Sequence, residues 1–140
     1  MKKLAKSAAI LIGLLMFSSA YCDELPPVSK VSSAIVNSAK KSILGENGKF
    51  PYKTADGTEL TNISANSNNI IFEYKIPADS QTLPVQDLSD YFRVQLKDEF
   101  CNKQDVVNVL SFYDIRFLFR FQYSDDRNVP ATLSIKEICQ

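Results

Sequence analysis

The feature that most constrains the fold is a strict alternation of side chains over residues 113–123. Large apolar residues occupy every second position: Tyr113, Ile115, Phe117, Phe119, Phe121 and Tyr123. A period of two predicts a β-strand with one buried face, because successive side chains of a strand point to opposite sides of the sheet. Six large apolar side chains on that face predict that this strand forms the floor of the hydrophobic core.

Three further strands are predicted around this one. After a polar turn at residues 124–128 the alternation resumes, which predicts a hairpin. The apolar positions of its second strand are Val129, Ala131, Leu133 and Ile135. Upstream, residues 58–64 and 69–76 are also predicted to form strands. The irregular pattern of residues 58–64 predicts a bulge or an edge position.

Helical periodicity appears in three segments. Residues 28–44 carry an apolar stripe that ends before Gly45, a residue typical of a helix C-cap. Residues 88–100 carry a second stripe with Asp87 as its predicted N-cap, and Asn102 begins a short third helix. This order is not an alternating βα pattern, so the sequence predicts an α+β fold. We expect an antiparallel sheet of four to five strands, with two long helices and one short helix packed on one face.

The N-terminus predicts export. Residues 1–22 resemble a secretory signal peptide, with a basic start, an apolar run at residues 8–17 and small residues before Tyr21. That run is too short to span a bilayer, which takes about 20 apolar residues. We therefore expect residues 23–140 to form a single domain that is periplasmic or secreted, with no transmembrane segment.

Cys22 leaves an alternative open. It would be the lipid-bearing first residue of a bacterial lipoprotein if the signal were of that class. Such signals carry a small residue directly before the cysteine, and here the bulky Tyr21 stands there. Cleavage after Ala20 or after Cys22 fits the pattern better than cleavage before Cys22, so lipidation is the less favoured hypothesis.

The other two cysteines predict a disulfide. In an oxidising compartment pairing is the default, and Cys101 and Cys139 are the natural couple once Cys22 is assigned to the cleavage region. A redox or metal site is not expected, because the chain has no histidine and no two cysteines with only two residues between them.

Composition argues against several classes of function. Without the three lysines of the leader, 13 basic and 16 acidic residues remain, a net charge of −3 that disfavours nucleic acid as a partner. No glycine-rich phosphate loop is present, and no cofactor is expected. Carboxylates are the remaining candidates for catalysis: Glu59, Glu73, Asp87, Asp90, Asp98 and Glu99. Each is equally explained by a solvated face or a helix cap, so we do not expect an enzyme.

A binding surface has more support. On the polar side of the predicted central strand, Leu118 lies between Arg116 and Arg120, and Ile71 is expected across from them. Apolar residues on an otherwise polar face are typical of a groove for a partner segment, although a single exposed leucine needs no special explanation. An open sheet edge near residues 58–64 is the other candidate surface.

The C-terminal part of the chain resembles a known family. A helix ending at Phe100, Cys101 and Asn102, a short helix, and a strand pair closing with residues 135–139 are similar to the beta class of type II secretion pilotins. The segments at residues 50–53 and 57–60 also look similar to the upstream strand region of that class. The resemblance covers about the last ninety residues. The chain departs from the class at Tyr21, because a pilotin is lipidated.

The resemblance implies a function for the predicted surface. Pilotins are small envelope lipoproteins that bind a short segment of secretin subunits, so a secretin or another envelope-assembly subunit is the implied partner. We expect an accessory or chaperone-like factor of a secretion or pilus machine. The alternative is a secreted inhibitor, effector or immunity-type protein without catalytic activity, which a disulfide-locked domain would also suit.

Overall fold

The structure is a computed structural model that describes residues 25–140. Within that part, four helices and five strands follow each other along the chain: α1 (Val28–Leu44), β1 (Tyr52–Lys53), β2 (Glu59–Asn66), β3 (Asn69–Lys75), α2 (Val85–Phe100), α3 (Gln104–Phe112), β4 (Arg116–Gln122), β5 (Asn128–Ser134) and α4 (Ile135–Ile138). The predicted signal peptide and Cys22 lie outside the described residues. The α+β class predicted from the sequence is confirmed.

The sheet differs in one detail from the antiparallel arrangement expected. Its strands lie in the order β1-β2-β3-β4-β5, and three of the four pairs are antiparallel, but β3 and β4 run parallel. A parallel pair needs a crossover connection rather than a tight turn. Here α2 and α3 together provide that connection, so both helices are returned to one face of the sheet.

The helix boundaries follow local chemistry closely. α1 covers the predicted span and ends at Gly45, whose φ of 75° is the positive value that favours glycine at a helix end. α2 begins earlier than predicted, at Val85, because Pro84 takes the extended N-cap conformation at φ −61°. Asp87 is therefore not the N-cap; it lies in the first turn of the helix.

The strands differ in detail from the alternation, and the central strand is shorter than predicted at both of its ends. Tyr113 belongs to the C-terminal cap of α3, and the strand begins at Arg116 after Asp114, which has a positive φ of 51°. Ile135, predicted on the last strand, starts α4 instead, because Ser134 and Glu137 form a capping box that begins a helix there. The predicted irregularity in β2 is confirmed as a register shift between Leu60 and Asn62.

The core lies between the sheet and the helices. The rings of Phe92 and Phe119 stack at 4.6 Å between centroids, and Phe100 stacks on Phe117 at 6.0 Å. Apolar residues of α1 and α3, including Ile35 and Leu110, are buried in the same cluster. All these helices therefore cover the face of β4 that carries its phenylalanines.

Candidate functional site

The opposite face of the sheet carries the residues singled out from the sequence. Because side chains alternate along β4, Arg116, Leu118 and Arg120 point away from the phenylalanine face. Neither Leu118 nor Ile71 belongs to the apolar cluster on which the helices pack. We call the surface formed by Ile71, Glu73, Arg116, Leu118 and Arg120 the open face.

The parallel pairing of β3 and β4 brings the apolar residues of the open face together. Ile71 is in register with Leu118, so their side chains lie next to each other across the strand pair. Leu118 is half-buried, and Ile71 is only 7% exposed. Ser64 of β2 and Thr132 of β5 extend this row on either side. The result is a small apolar centre within a polar surface.

Two arginines flank this apolar centre. The side chains of Arg116 and Arg120 are 50% and 57% exposed. An Arg116 Nη2 atom lies 3.1 Å from Oδ2 of Asp114, and Arg120 Nη1 lies 3.9 Å from Oε1 of Glu73. Ion pairs this exposed contribute about 1 kcal/mol or less. Both guanidinium groups therefore remain free to exchange these partners for carboxylates of a bound segment.

Arg120 also borders a shallow groove of about 460 Å³ at one end of the open face. Its lining comes from four neighbouring strands: Thr61, Glu73, Tyr74, Arg120, Gln122, Asn128, Val129 and Pro130. Asn62 is in register with Glu73, and its Nδ2 atom donates to Glu73 Oε2 at 3.2 Å. This groove continues the surface that begins at Leu118.

Sequence reasoning placed four residues of the open face and missed Glu73 and Pro130 as neighbours of Arg120. Glu73 is in register with Arg120, and Arg120 is in register with Pro130. The alternation in β3 put Glu73 on the polar side, but only the parallel register of the two central strands sets it beside Arg120.

Several acidic side chains in the described part of the chain form ion pairs rather than a metal-binding cluster. No group of three or more histidine, cysteine, aspartate or glutamate side chains there could hold a metal ion. Among the carboxylates considered from the sequence, Glu73 faces Arg120 and Asp90 lies 3.1 Å from Arg93. Glu59 lies 4.0 Å from Lys53. These are ion pairs of a solvated surface.

Comparisons with known proteins give distant structural likenesses. No family model and no curated protein matches the chain. The pilotin EpsS of the Vibrio vulnificus type 2 secretion system is similar at a TM-score of 0.48 and 13% identity, over 81% of this chain and 88% of the pilotin. A candidate secreted protein from Pseudomonas aeruginosa is similar at a TM-score of 0.49 and 16% identity, over 79% of this chain and 92% of the other.

The resemblance drawn from the sequence is thus also found in three dimensions, as a distant one. A pilotin is among the similar structures, and the Cys101–Cys139 disulfide predicted within the resembling segment is present, with 5.4 Å between the Cα atoms. Likeness at this level carries no functional argument. No helix among residues 25–140 is long and apolar enough to cross a membrane.

Proposed function

We propose that this protein is an exported, periplasmic accessory or chaperone-like factor of a secretion or pilus machine, and that it acts by binding a segment of a partner protein on the open face. The observation that carries the proposal is the row of Arg116, Leu118 and Arg120 beside Ile71. This row lies on the sheet face opposite the one on which α1, α2 and α3 pack.

The chemistry of the open face defines the segment it would hold. An apolar side chain of the partner would rest on Ile71 and Leu118, where its burial contributes about 25 cal/mol per Å². Carboxylates on either side of that residue would meet Arg116 and Arg120, whose planar guanidinium groups form paired hydrogen bonds with carboxylates. By resemblance, a secretin or another envelope-assembly subunit is the proposed partner.

Replacing Leu118 with Asp tests the proposal. The substitution removes half of the apolar centre and places a negative charge between the two arginines, so we expect capture of the partner from envelope extracts to fall at least about tenfold. Val94→Asp is the matched control, because Val94 is another apolar residue that reaches solvent, 47% exposed, and it lies on α2 on the other side of the sheet. The control should capture the partner normally.

The outcome also separates the proposed function from its alternative. Equal capture by the Leu118→Asp variant and the parent protein would show that the open face is not the binding surface. Cell fractionation decides between the two roles of the protein: an accessory factor stays with the envelope, whereas a secreted inhibitor or effector accumulates in the medium.

A further inference from the structure

The two edges of the sheet differ in how they are closed. β1 is only two residues long and pairs with Leu60 and Glu59 alone. Beyond it, residues 62–66 of β2 pair with β3 on one side and with no described strand on the other. The opposite edge, β5, contains Pro130, which lacks an N–H donor and is typical of a protected edge.

The register shows which backbone groups of β2 are left without a strand. Ile76 donates its N–H to Gln122 at 2.8 Å, and the Thr61 hydroxyl donates to the carbonyl of Glu73 at 3.0 Å. Even-numbered backbone groups of β3 therefore face β4, and odd-numbered ones face β2. Ser64 is in register with Ile71, so its N–H and C=O face β3. By alternation, the N–H and C=O groups of Ile63 and Ala65 point outward from the edge.

This stretch lacks the usual protection of an exposed edge. Residues 62–66 contain no charged side chain and no proline, the features by which natural edge strands prevent pairing with another chain. Ala65 and Asn66 are exposed. The side chains along the edge therefore present no barrier to a strand that approaches it.

A hollow that carries three lysines and one glutamate lies at the C-terminal end of the helix that packs along β2. α1 packs along β2, and the Ser32 hydroxyl at its start donates to Ser67 at the far end of the strand at 2.5 Å. Beside the other end of α1 lies a hollow of about 630 Å³, lined by Asn37, Lys40, Lys41, Leu44, Gly45, Glu46, Gly48, Lys49 and Phe50. Lys40, Lys41 and Lys49 make no ion pair with any side chain in the described range.

The hollow and the edge of β2 both adjoin the chain that leads into β1. In the register of β1, Tyr52 faces Leu60, so the chain that precedes Tyr52 leaves the edge alongside Thr61 and Asn62. Phe50 and Lys49, which line the hollow, belong to that departing chain. An added strand along Ile63 and Ala65 would thus begin where this chain leaves the edge, next to the segment that carries Lys49.

We propose that β2 accepts an extended, acidic segment of a partner protein as an additional sheet strand along residues 62–66, with acidic side chains of that segment held by Lys40, Lys41 and Lys49. Strand addition supplies affinity through main-chain hydrogen bonds at Ile63 and Ala65, and the lysines supply the preference for acidic side chains. The inference rests on the proposed function, because it also takes the partner to be a protein segment. It adds a second surface at which that partner would bind.

Charge favours an acidic segment over a second copy of this chain as the occupant. Residues 62–66 of a second copy contain no carboxylate that could meet the lysines. An acidic segment carries such groups, and its attraction should weaken as salt is raised.

Ala65→Pro is the direct test. It removes an outward N–H donor at an edge position and leaves the hydrogen bonds between β2 and β3 in place. Ala65→Val is the matched control, because valine keeps the donor and favours a strand. The probe is a short peptide that alternates aspartate with valine, added to the ¹⁵N-labelled full chain and followed by NMR. A second peptide carries lysine in place of aspartate.

With the parent protein and the Ala65→Val control, the aspartate peptide should shift the amide of Ile63. The Ala65→Pro variant should bind it at least about tenfold more weakly, and so should a Lys40→Glu, Lys41→Glu double variant. The inference is overturned if no shift occurs at Ile63 with about 1 mM peptide, or if the lysine peptide binds as well. It is also overturned if the chain alone dimerises in a way that Ala65→Pro abolishes.

Failure of this inference is distinguishable from failure of the proposed function. Shifts confined to the amides around Leu118, or partner capture that Leu118→Asp abolishes and Ala65→Pro leaves intact, would remove the edge site and keep the open face. Partner capture that neither substitution reduces would remove both surfaces.

Discussion

At the scale of single residues, two tyrosine hydroxyl groups differ in whether they have a hydrogen-bond partner. The Tyr113 hydroxyl donates to the carbonyl of Pro26 at 2.6 Å, which ties the start of the described chain to the end of α3. The Tyr123 hydroxyl is buried and has no hydrogen-bond partner among the described residues. Burial, reinforced by the charges of Asp125 and Asp87, raises the pKa of the Tyr123 hydroxyl and keeps it neutral.

Replacing each tyrosine with phenylalanine should therefore have opposite effects. Tyr123→Phe removes an unpaired buried polar group, so we expect the free energy of unfolding to rise by about 1 kcal/mol. Tyr113→Phe removes a made hydrogen bond and should lower it by about 1 kcal/mol. Urea unfolding measures both. A loss of stability in Tyr123→Phe would mean that this hydroxyl has a partner in solution.

At the scale of elements, the end of α1 depends on two glycines for different reasons. Gly45 adopts a positive φ of 75°, and an added Cβ there would meet nothing within 4 Å. Gly48 lies against the helix end itself, where an added Cβ would be 1.9 Å from the carbonyl oxygen of Leu44. Gly45 is thus required by conformation and Gly48 by space.

Gly48→Ala should displace the loop from the end of α1. Because the clash involves backbone atoms that no rotamer change relieves, we expect the free energy of unfolding to fall by about 2 kcal/mol. The neighbouring exposed residue supplies the control, since Asn47→Ala should change stability by less than about 0.5 kcal/mol. Thermal or urea unfolding of both variants measures the difference. Equal stabilities would show that the loop moves away from α1 at no cost.

At the scale of the whole molecule, the disulfide joins the C-terminal cap of α2 to the end of the described chain after α4. Cys101 and Cys139 are 38 positions apart, and the loop they close contains α3, β4, β5 and α4. The bond therefore spans the central strand, the edge strand β5 and two helices. It constrains the unfolded chain more than any local contact.

Replacing both cysteines with alanine should lower the free energy of unfolding by about 4 kcal/mol, the value expected from chain entropy for a loop of this length. That is a large part of the roughly 5–15 kcal/mol typical of a domain. Reduction of the parent protein serves as the control and should give the same loss. A loss below about 1 kcal/mol would contradict the entropic argument.

Much of the fold is encoded locally and could be predicted from the sequence. The alternation around Phe117, Phe119 and Phe121 predicted the central strand and its buried face, because burial of every second side chain is a direct consequence of strand geometry. The stripe that ends at Gly45 predicted α1 for the same kind of reason, and the bulge in β2 showed as a break in periodicity. The Cys101–Cys139 pair was predicted from the expected export of the chain and the assignment of Cys22 to the cleavage region.

What only the tertiary structure decided is the neighbourhood of strands that are far apart in the chain. Nothing in the local pattern says that β3 and β4 run parallel, because strand direction depends on how α2 and α3 return the chain. That direction sets Ile71 beside Leu118 and Glu73 beside Arg120, and it therefore builds the open face. The unpaired backbone of Ile63 and Ala65 likewise results from β1 beginning only at Tyr52, opposite Leu60. Periodicity determines which side of a strand is buried, whereas register between distant segments determines which residues meet.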